Sequence, residues 1–307
     1  MNADGAQLDQ IDQRVQPAGD AELLLENAQL KRQLAAVTDE LESFTYSVSH
    51  DLRASLRHIS AFVEIVNEDL GPTIDAGIRN HLTTITNAAQ HMTLMIDALM
   101  ALSQLGRVEL NLSRVDVRPL IDEVVQAMQL PAKNTHPVEP AAPQAELIHW
   151  HIADDFPPLQ ADPVLVRQLL KHLISNAIKF TRPTHGRLPA QIEIGWRWAP
   201  DGARDGVPHQ APLCELFIKD NGAGFNPKFA SKLFGVFQRL HSASEFEGIG
   251  MGLALCRRIV ERHGGSITAS SPLSPNGRSP SHSTSPPEYT GGCEVRFTMP
   301  TSESNLI

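Results

Sequence analysis

GIGMGLALCRRIVERHGG, residues 248–265, places alternating glycines directly in front of an apolar-periodic helix. Such a turn leaves backbone N–H groups unpaired at the positive end of the helix dipole, an arrangement suited to phosphate. Alone, the same pattern also serves as a plain tight turn. Its place in the chain narrows the fold. A dinucleotide-binding unit needs its glycines early, in a strand–helix turn, with an acidic residue ~20 positions further on. Here they come late, after two long helical stretches. A GxxxxGK phosphate loop ending in Ser or Thr is absent from the sequence.

Working back from that stretch, a second glycine cluster, Asp220-Asn221-Gly222-Ala223-Gly224, follows the strand-like run CELFIK (214–219). Further back, QLLKHLISNAIKFT (168–181) reads as a helix whose His172, Asn176 and Lys179 share one face, because spacings of four and three stack residues. The Asn176 side chain offers a neutral oxygen to Mg²⁺, which otherwise keeps waters and phosphate oxygens. Lys179 supplies positive charge for phosphate. The same pattern also fits an amphipathic helix with its polar face outward. Around these segments, β-rich runs at 146–153, 191–198, 214–219, 265–269 and 293–299 alternate with helical ones at 163–180, 228–238 and 251–263. VDVRPLIDEVVQAM (115–128) reads as a short strand and then a helix with Pro119 in its first turn. The pattern is a mixed α/β domain over 107–307 with helices on one face of a sheet. Polar insertions interrupt it at 131–145, 200–212 and 271–291; the Ser/Pro-rich stretch 271–292 reads as a flexible surface loop. His136, His185 and His282 fall in loops without ligand spacing and read as solvated.

The first third is different. After a polar lead-in (1–20, expected to be disordered), Leu23, Asn27, Leu30, Leu34, Val37, Leu41, Phe44 and Val48 recur in steps of four and three, the seam of a coiled coil. From Phe44 the steps run 44, 48, 52, 56, then 59, 63, 66, 70, a stutter that locally unwinds a supercoil. His50, in FTYSVSHDLRASLRH (44–58), lies ~200° round the helix from Val48 and faces solvent. Gly71-Pro72 ends this helix. A second stripe, Leu82, Ile85, Ala89, Met92, Ile96 and Leu99, ends near Gly106. Residues 21–106 therefore read as a coiled coil and helical hairpin. Two copies would bury both stripes as a four-helix bundle.

The chain has 307 residues, 26 Lys+Arg against 35 Asp+Glu and a net charge of −9, a poor match to nucleic acid or to an anionic membrane. Cys214, Cys256 and Cys293 have no short-motif partner and read as reduced thiols. No apolar run approaches the ~20 residues of a membrane span, and no secretory pattern opens the chain, so a cytoplasmic setting is expected.

Taken in order, these segments resemble the sensor histidine kinases of two-component signalling. FTYSVSHDLRASLR is similar to the phospho-acceptor box, QLLKHLISNAIKFT to the N box and DNGAGF (220–225) to the first glycine box. KLFGVFQRLH (232–241) is similar to the phenylalanine box, and 248–265 to the second glycine box. The likeness runs over roughly 22 to 299 and is nearest to the phytochrome-like and PAS-linked branch. It implies a dimerisation and phosphotransfer hairpin followed by a Bergerat-type α+β ATP-binding sandwich. It implies ATP and Mg²⁺, a homodimer, and a response-regulator receiver domain as partner; the input is expected either from an upstream sensor docking on the coil or from a longer chain of which this one is a piece. By the same resemblance His50 is the phosphorylated nucleophile and Asp51 the carboxylate that orients it. Asn176 holds Mg²⁺, Asp220 reads the adenine amino group and Phe180 lies against the ring. Gly222, Gly224, Gly248, Gly250, Gly252 and Leu253 form the loop and lid around the phosphates. Lys179 and Arg239 neutralise phosphate charge, while Phe234 and Phe237 anchor the lid. The chain departs from the family pattern at Ala54, where phosphatase-competent members carry Thr or Asn, at Ser55, where many have Pro, and at His172, where the N box has Asn. The expected activity is a histidine autokinase. A phosphotransfer scaffold with a decayed ATP fold and an ATPase or serine kinase on the same fold are the rivals.

Overall fold

The computed structural model describes residues 5–71, 75–106, 109–129, 148–181, 189–199, 212–242, 245–271 and 292–302. The chain divides into two units, Met1–Ser103 and Gln104–Ile307.

The first unit is a helical hairpin: α1, Gly5–Leu70, and α2, Ala76–Gln104. Helix α1 starts well before residue 20, so the expected lead-in is helical from Gly5 onward. Leu8, Ile11 and Val15 recur at the helical spacing of three and four ahead of Pro17 and Gly19. The chain leaves α1 at Gly71 with a φ of 65°, a left-handed conformation that Gly adopts without penalty. The faces that meet within the hairpin are small and close: Ser49, Leu56 and Ala89 are buried. The Arg53 guanidinium crosses to α2, donating to the Asp97 carboxylate at 3.1 and 2.6 Å, with the Met100 sulfur at 2.9 Å. This packing leaves Leu30, Leu34, Val37, Leu41, Phe44 and Leu52 exposed, and on α2 Ile85 and Met92. Ser55 Oγ donates to the Asp51 carbonyl at 3.1 Å and α1 runs through unbroken. A proline at 55 would remove a helix hydrogen bond and kink the helix there.

The second unit carries β1 (Ser113–Val115), α3 (Val117–Gln129), β2 (Ile148–Ile152), β3 (Leu159–Ala161) and α4 (Pro163–Phe180). It continues with β4 (Ala190–Trp198), β5 (Leu213–Asp220), a 3-10 helix (Pro227–Lys232), α5 (Gly252–Arg262), β6 (Ile267–Ser270) and β7 (Cys293–Pro300). The main sheet has the order β2-β4-β5-β7-β6, parallel only between β2 and β4; β1 and β3 form a separate antiparallel pair. Helices α4 and α5 pack on the sheet, and α3 packs on α4.

Strand periodicity decides which face each side chain takes. In β5, Cys214, Leu216, Ile218 and Asp220 are buried beneath the helices, whereas Lys219 is exposed on the other face. Asp220 is thus the last residue of a buried apolar stripe. The opposite face carries ion pairs, Lys219–Glu193 at 3.5 Å, Arg296–Glu294 at 2.6 Å and Arg197–Glu215. Helix α4 contributes Val166, Leu169, Leu170, Leu173, Ile174 and Ala177 to the core. Its start is fixed by Asp162, whose Oδ1 accepts the N–H groups of Val164 (2.9 Å) and Leu165 (3.3 Å), with Pro163 following. Such a cap contributes ~1 kcal/mol.

Two expectations need correcting. The helix expected at 228–238 is only the 3-10 turn Pro227–Lys232. The chain turns at Gly235, and Phe237 sits at φ 59°, which ends any helix. Strand β3, absent from the sequence reading, is three residues long between Pro158 and Pro163, too short to show alternation. Most of the insertions read at 131–145, 200–212 and 271–291, with His136, His185 and His282, lies outside the described residues. Cys214, Cys256 and Cys293 are free thiols, and burial pushes Cys214 up to about 12. Among the described residues, no helix is long and apolar enough to cross a membrane.

Candidate functional site

Two places hold the residues singled out by sequence, one in each unit. In the hairpin, His50 stands on the outer face of α1 with 61% of its side chain exposed. Its Nδ1 lies 3.2 Å from Asp51 Oδ1. A carboxylate only accepts, so in the neutral ring this contact selects the tautomer with its proton on Nδ1 and the lone pair on Nε2. An exposed imidazole held in that tautomer is a nucleophile with an open approach.

In the second unit, the C-terminal turn of α4 meets the turn after β5. The Phe180 carbonyl accepts the Ala223 N–H at 3.0 Å. Gly222 lies so close that a Cβ there would stand 2.3 Å from that carbonyl oxygen. Any larger residue would therefore push the β5 turn off α4. Asp220 Oδ1 accepts the N–H of Gly222 (2.9 Å) and of Cys293 (3.2 Å). Burial raises the Asp220 carboxyl to about 6, and the two N–H donors hold it from rising further. A buried carboxylate at the end of an apolar stripe is suited to accept from a planar donor such as a base amino group.

The glycine turn before α5 comes against the same end of α4. Gly252 opens α5, and a Cβ added to it would lie 3.4 Å from His172 Nδ1. His172 is partly buried, and burial, then Lys171, lowers its pKa, so the ring is neutral at pH 7. Gly248 opposes Lys179, whose Nζ donates to the Glu247 carbonyl at 3.2 Å and sits 4.3 Å above the Phe180 ring. Arg239 donates to the Phe246 carbonyl at 2.6 Å. Gly250 has φ 74°, and a Cβ there would meet the Gln238 carbonyl oxygen at 2.6 Å. Gly250→Ala is expected to cost ~1–2 kcal/mol in left-handed strain alone. The clash adds to it, so nucleotide affinity should fall at least tenfold in a calorimetric titration.

His172, Lys179 and Phe180 of α4 thus gather with Asp220, Gly222, Arg239 and residues 246–252, and Asn176 lies one turn before Phe180 on the same helix, partly buried. Gly224, at φ 65°, backs this turn: a Cβ there would meet Ser271 Oγ at 2.8 Å. Leu253 follows Gly252 in the first turn of α5 and is partly buried. Phe234 is buried and Phe237 is 40% exposed, with the Phe237 carbonyl carbon 2.9 Å from where a Cβ on Gly250 would stand. The sequence reading assigned no role to Phe246 or His241, yet both rings stack near Phe180, at 4.8 and 5.4 Å between centroids. The signal was available: aromatics make up only 5% of the chain, and one falls just before the second glycine run. Also unread was His263. Its Nε2 accepts the Asp162 N–H at 3.0 Å while Nδ1 donates to the Ile259 carbonyl at 2.8 Å, and burial lowers its pKa.

The donors present fit a magnesium–nucleotide. Asn176 brings a neutral hard oxygen. The glycines leave a cradle that any Cβ would fill, and the buried Asp220 carboxylate lies next to it. Among the described residues there is no group of three or more His, Cys, Asp or Glu side chains that could hold a metal by protein ligands alone.

Comparison with known proteins gives a consistent picture. Residues 161–303 match the family of histidine kinase-, DNA gyrase B- and HSP90-like ATPases. Cyanobacterial phytochrome B of Nostoc sp. is 32% identical over 244 residues, 79% of this chain and 29% of that protein. The methanogenesis regulatory histidine kinase FilI of Methanothrix harundinacea is 30% identical over 284 residues, 92% of this chain and 27% of that protein. The sensor histidine kinase TrcS of Mycobacterium tuberculosis is 31% identical over 237 residues, 75% of this chain and 41% of that protein. The chain therefore spans less than half the length of each of these relatives. Full-length ShkA in complex with AMPPNP shares the fold at a TM-score of 0.52 and 20% identity, over 85% of this chain and 46% of that one.

Proposed function

We propose that this chain, which carries a domain of the histidine kinase-, DNA gyrase B- and HSP90-like ATPase family and is a relative of sensor histidine kinases, is an ATP-dependent histidine autokinase. One observation carries the proposal: an exposed His50 with its ring proton held by Asp51 occurs in the same chain as a buried carboxylate, an Asn and a glycine cradle at one end of α4. His50 Nε2 attacks the γ-phosphorus of ATP. The N–P bond forms as the bond from phosphorus to the β–γ bridging oxygen breaks, and ADP leaves with that electron pair. Asp51 accepts the Nδ1–H and stabilises the positive charge that develops on the ring. Asp220 accepts from the adenine amino group and Phe180 lies against the base. Asn176 holds Mg²⁺, which when bound neutralises charge on the phosphate oxygens. Lys179 and Arg239 supply further positive charge, and the turn formed by Gly248, Gly250, Gly252 and Leu253 wraps the phosphates.

The exposed apolar residues of α1 and α2 support a homodimeric four-helix bundle that continues into an N-terminal coiled coil. The phosphoramidate on His50 then passes its phosphoryl group to an aspartate of a response-regulator receiver domain, and the reaction is placed in the cytoplasm. An upstream sensor acting on the coil supplies the input.

Incubation with γ-labelled ATP and Mg²⁺ tests this reading. Acid-labile label on the protein is expected. Acid-stable label would favour a serine kinase, and nucleotide binding with no label a phosphotransfer scaffold. A further expectation concerns Ala54, which lies four residues after His50 and has no polar group to orient water. Added without nucleotide to a phosphorylated receiver domain, the protein should speed dephosphorylation less than twofold. Ala54→Asn, by supplying an amide, should raise that rate.

A further inference from the structure

Three nucleotide-binding candidates are engaged by one two-residue segment of the chain itself. The Phe246 ring packs on Phe180 at 4.8 Å, tilted by 59°, and on His241 at 5.1 Å. The Phe246 carbonyl takes the Arg239 guanidinium at 2.6 Å, and the next carbonyl, of Glu247, takes Lys179 Nζ at 3.2 Å. His241 fixes the position of this cluster, because its Nε2 lies 3.0 Å from the Gly224 carbonyl oxygen in the turn that follows Asp220. Phe180 is tied to the same turn through its own carbonyl and Ala223. The ring cluster is therefore held against the turn that follows the carboxylate expected to read a base. An apolar ring occupies the aromatic residue, and carbonyl oxygens occupy both cations. That is the order of parts a nucleotide presents: a flat ring, then oxygens that attract positive charge.

We propose that Phe246-Glu247 is an internal stand-in for the nucleotide: Phe246 holds the place of the purine on Phe180, and its ring must leave when ATP binds. The inference rests on the assignment of this site to ATP. Phe246 thereby sets the apparent nucleotide affinity, since a site that is competent for only a fraction of the time binds more weakly by that fraction. The segment also explains how Lys179 and Arg239 remain pre-placed without phosphate, each held by a carbonyl dipole that a full negative charge can displace.

Equilibrium titrations with ADP and with adenosine test the proposal in wild type, Phe246→Ala and Phe246→Leu. Ring-pair contacts of this kind correspond to about a three- to tenfold effect. Phe246→Ala is expected to bind both ligands about three- to tenfold more tightly than wild type, with Phe246→Leu in between. Adenosine has no phosphate, so its gain isolates the ring from the two cations. Unchanged or weaker binding of adenosine by Phe246→Ala would overturn the proposal, because Phe246 would then stack on the base or stand clear of it. Tighter binding of ADP alone would overturn it as well. Failure of the wild type to bind either ligand would overturn the ATP assignment itself and this proposal with it. Superimposable melting curves for the three proteins without ligand establish that the differences arise in the site.

Discussion

His50→Gln is expected to reduce incorporation of acid-labile phosphate from γ-labelled ATP by at least ~10³-fold, while ADP affinity changes less than twofold. The asymmetry follows from the division of the chain. His50 belongs to the helical unit, and the base and phosphate candidates all belong to the other. Glutamine fills similar space on an exposed helix face, but the lone pair of its amide nitrogen is delocalised into the carbonyl and does not attack phosphorus, so the nucleophilic step is lost. Helix α1 should be unaffected, because His50 is exposed and its described hydrogen bond is to the neighbouring Asp51. Its replacement leaves the packing of Ser49, Leu56 and Ala89 in place. Label that survives in His50→Gln at more than a few per cent of wild type would place the phosphoryl acceptor elsewhere.

Asp220→Asn should separate binding from stability, in opposite directions. The Asn carbonyl oxygen can still accept the Gly222 and Cys293 N–H groups that Asp220 Oδ1 accepts at 2.9 and 3.2 Å. The second oxygen becomes an NH₂, which meets the adenine amino group donor to donor. Nucleotide affinity is expected to fall at least ~100-fold, as when a buried polar match is turned into a mismatch. The ligand-free protein should be more stable. Burial raises the Asp220 carboxyl from 3.8 to about 6, so its contribution to stability is full below pH 3.8 and is lost as pH rises through 6. At pH 7.5 the ionised group costs the native state on the order of 2–3 kcal/mol. Asn removes that cost, and the melting midpoint should rise by ~4–8 °C at pH 7.5, a gain that shrinks to nothing near pH 4. In the wild type, nucleotide affinity should decline as pH falls below 6, where the carboxylate takes up a proton. A melting gain that does not depend on pH would mean that the Asp220 charge is not the cause.

The parts of the fold that were legible in the sequence are those where period and punctuation agree. Helix α4 was read at its observed bounds, because Asp162-Pro163 marks its start and six core residues recur on one face. The break at Gly71-Pro72 was equally plain. Reading failed where the backbone leaves regular geometry. At Gln238, Phe246 and Gly250 the chain is set by contacts across space, Gly250 against Gln238 and Phe246 on Phe180, which local propensity does not encode. The single site residues came from motif order, but their engagement did not. Lys179 and Arg239 were foreseen as cations for phosphate, and nothing in their spacing indicated that carbonyls of residues 246 and 247 would hold them. His263 was unread because a buried His that both accepts and donates has the same sequence appearance as one on a surface.

The Asp162–His263 contact has a consequence for how the second unit comes apart. Asp162 gathers five hydrogen bonds to or from backbone groups: its carboxylate takes the N–H groups of Asn111, Val164 and Leu165, its carbonyl takes the Val166 N–H, and its own N–H goes to His263 at the end of α5. The entry to the unit, the start of α4 and the end of α5 are therefore knotted at one residue. Pulling any one of them out exposes unpaired polar groups on the others. Fraying from a helix end, the usual cheap route to local opening, is closed here for both helices. Amide protons near these ends should exchange with solvent as one cooperative block, at the slow rate of the unit as a whole. The opposite end of α5, at Met251 and Gly252, has no side-chain cap hydrogen bond, so local opening of this helix is expected to begin on that side.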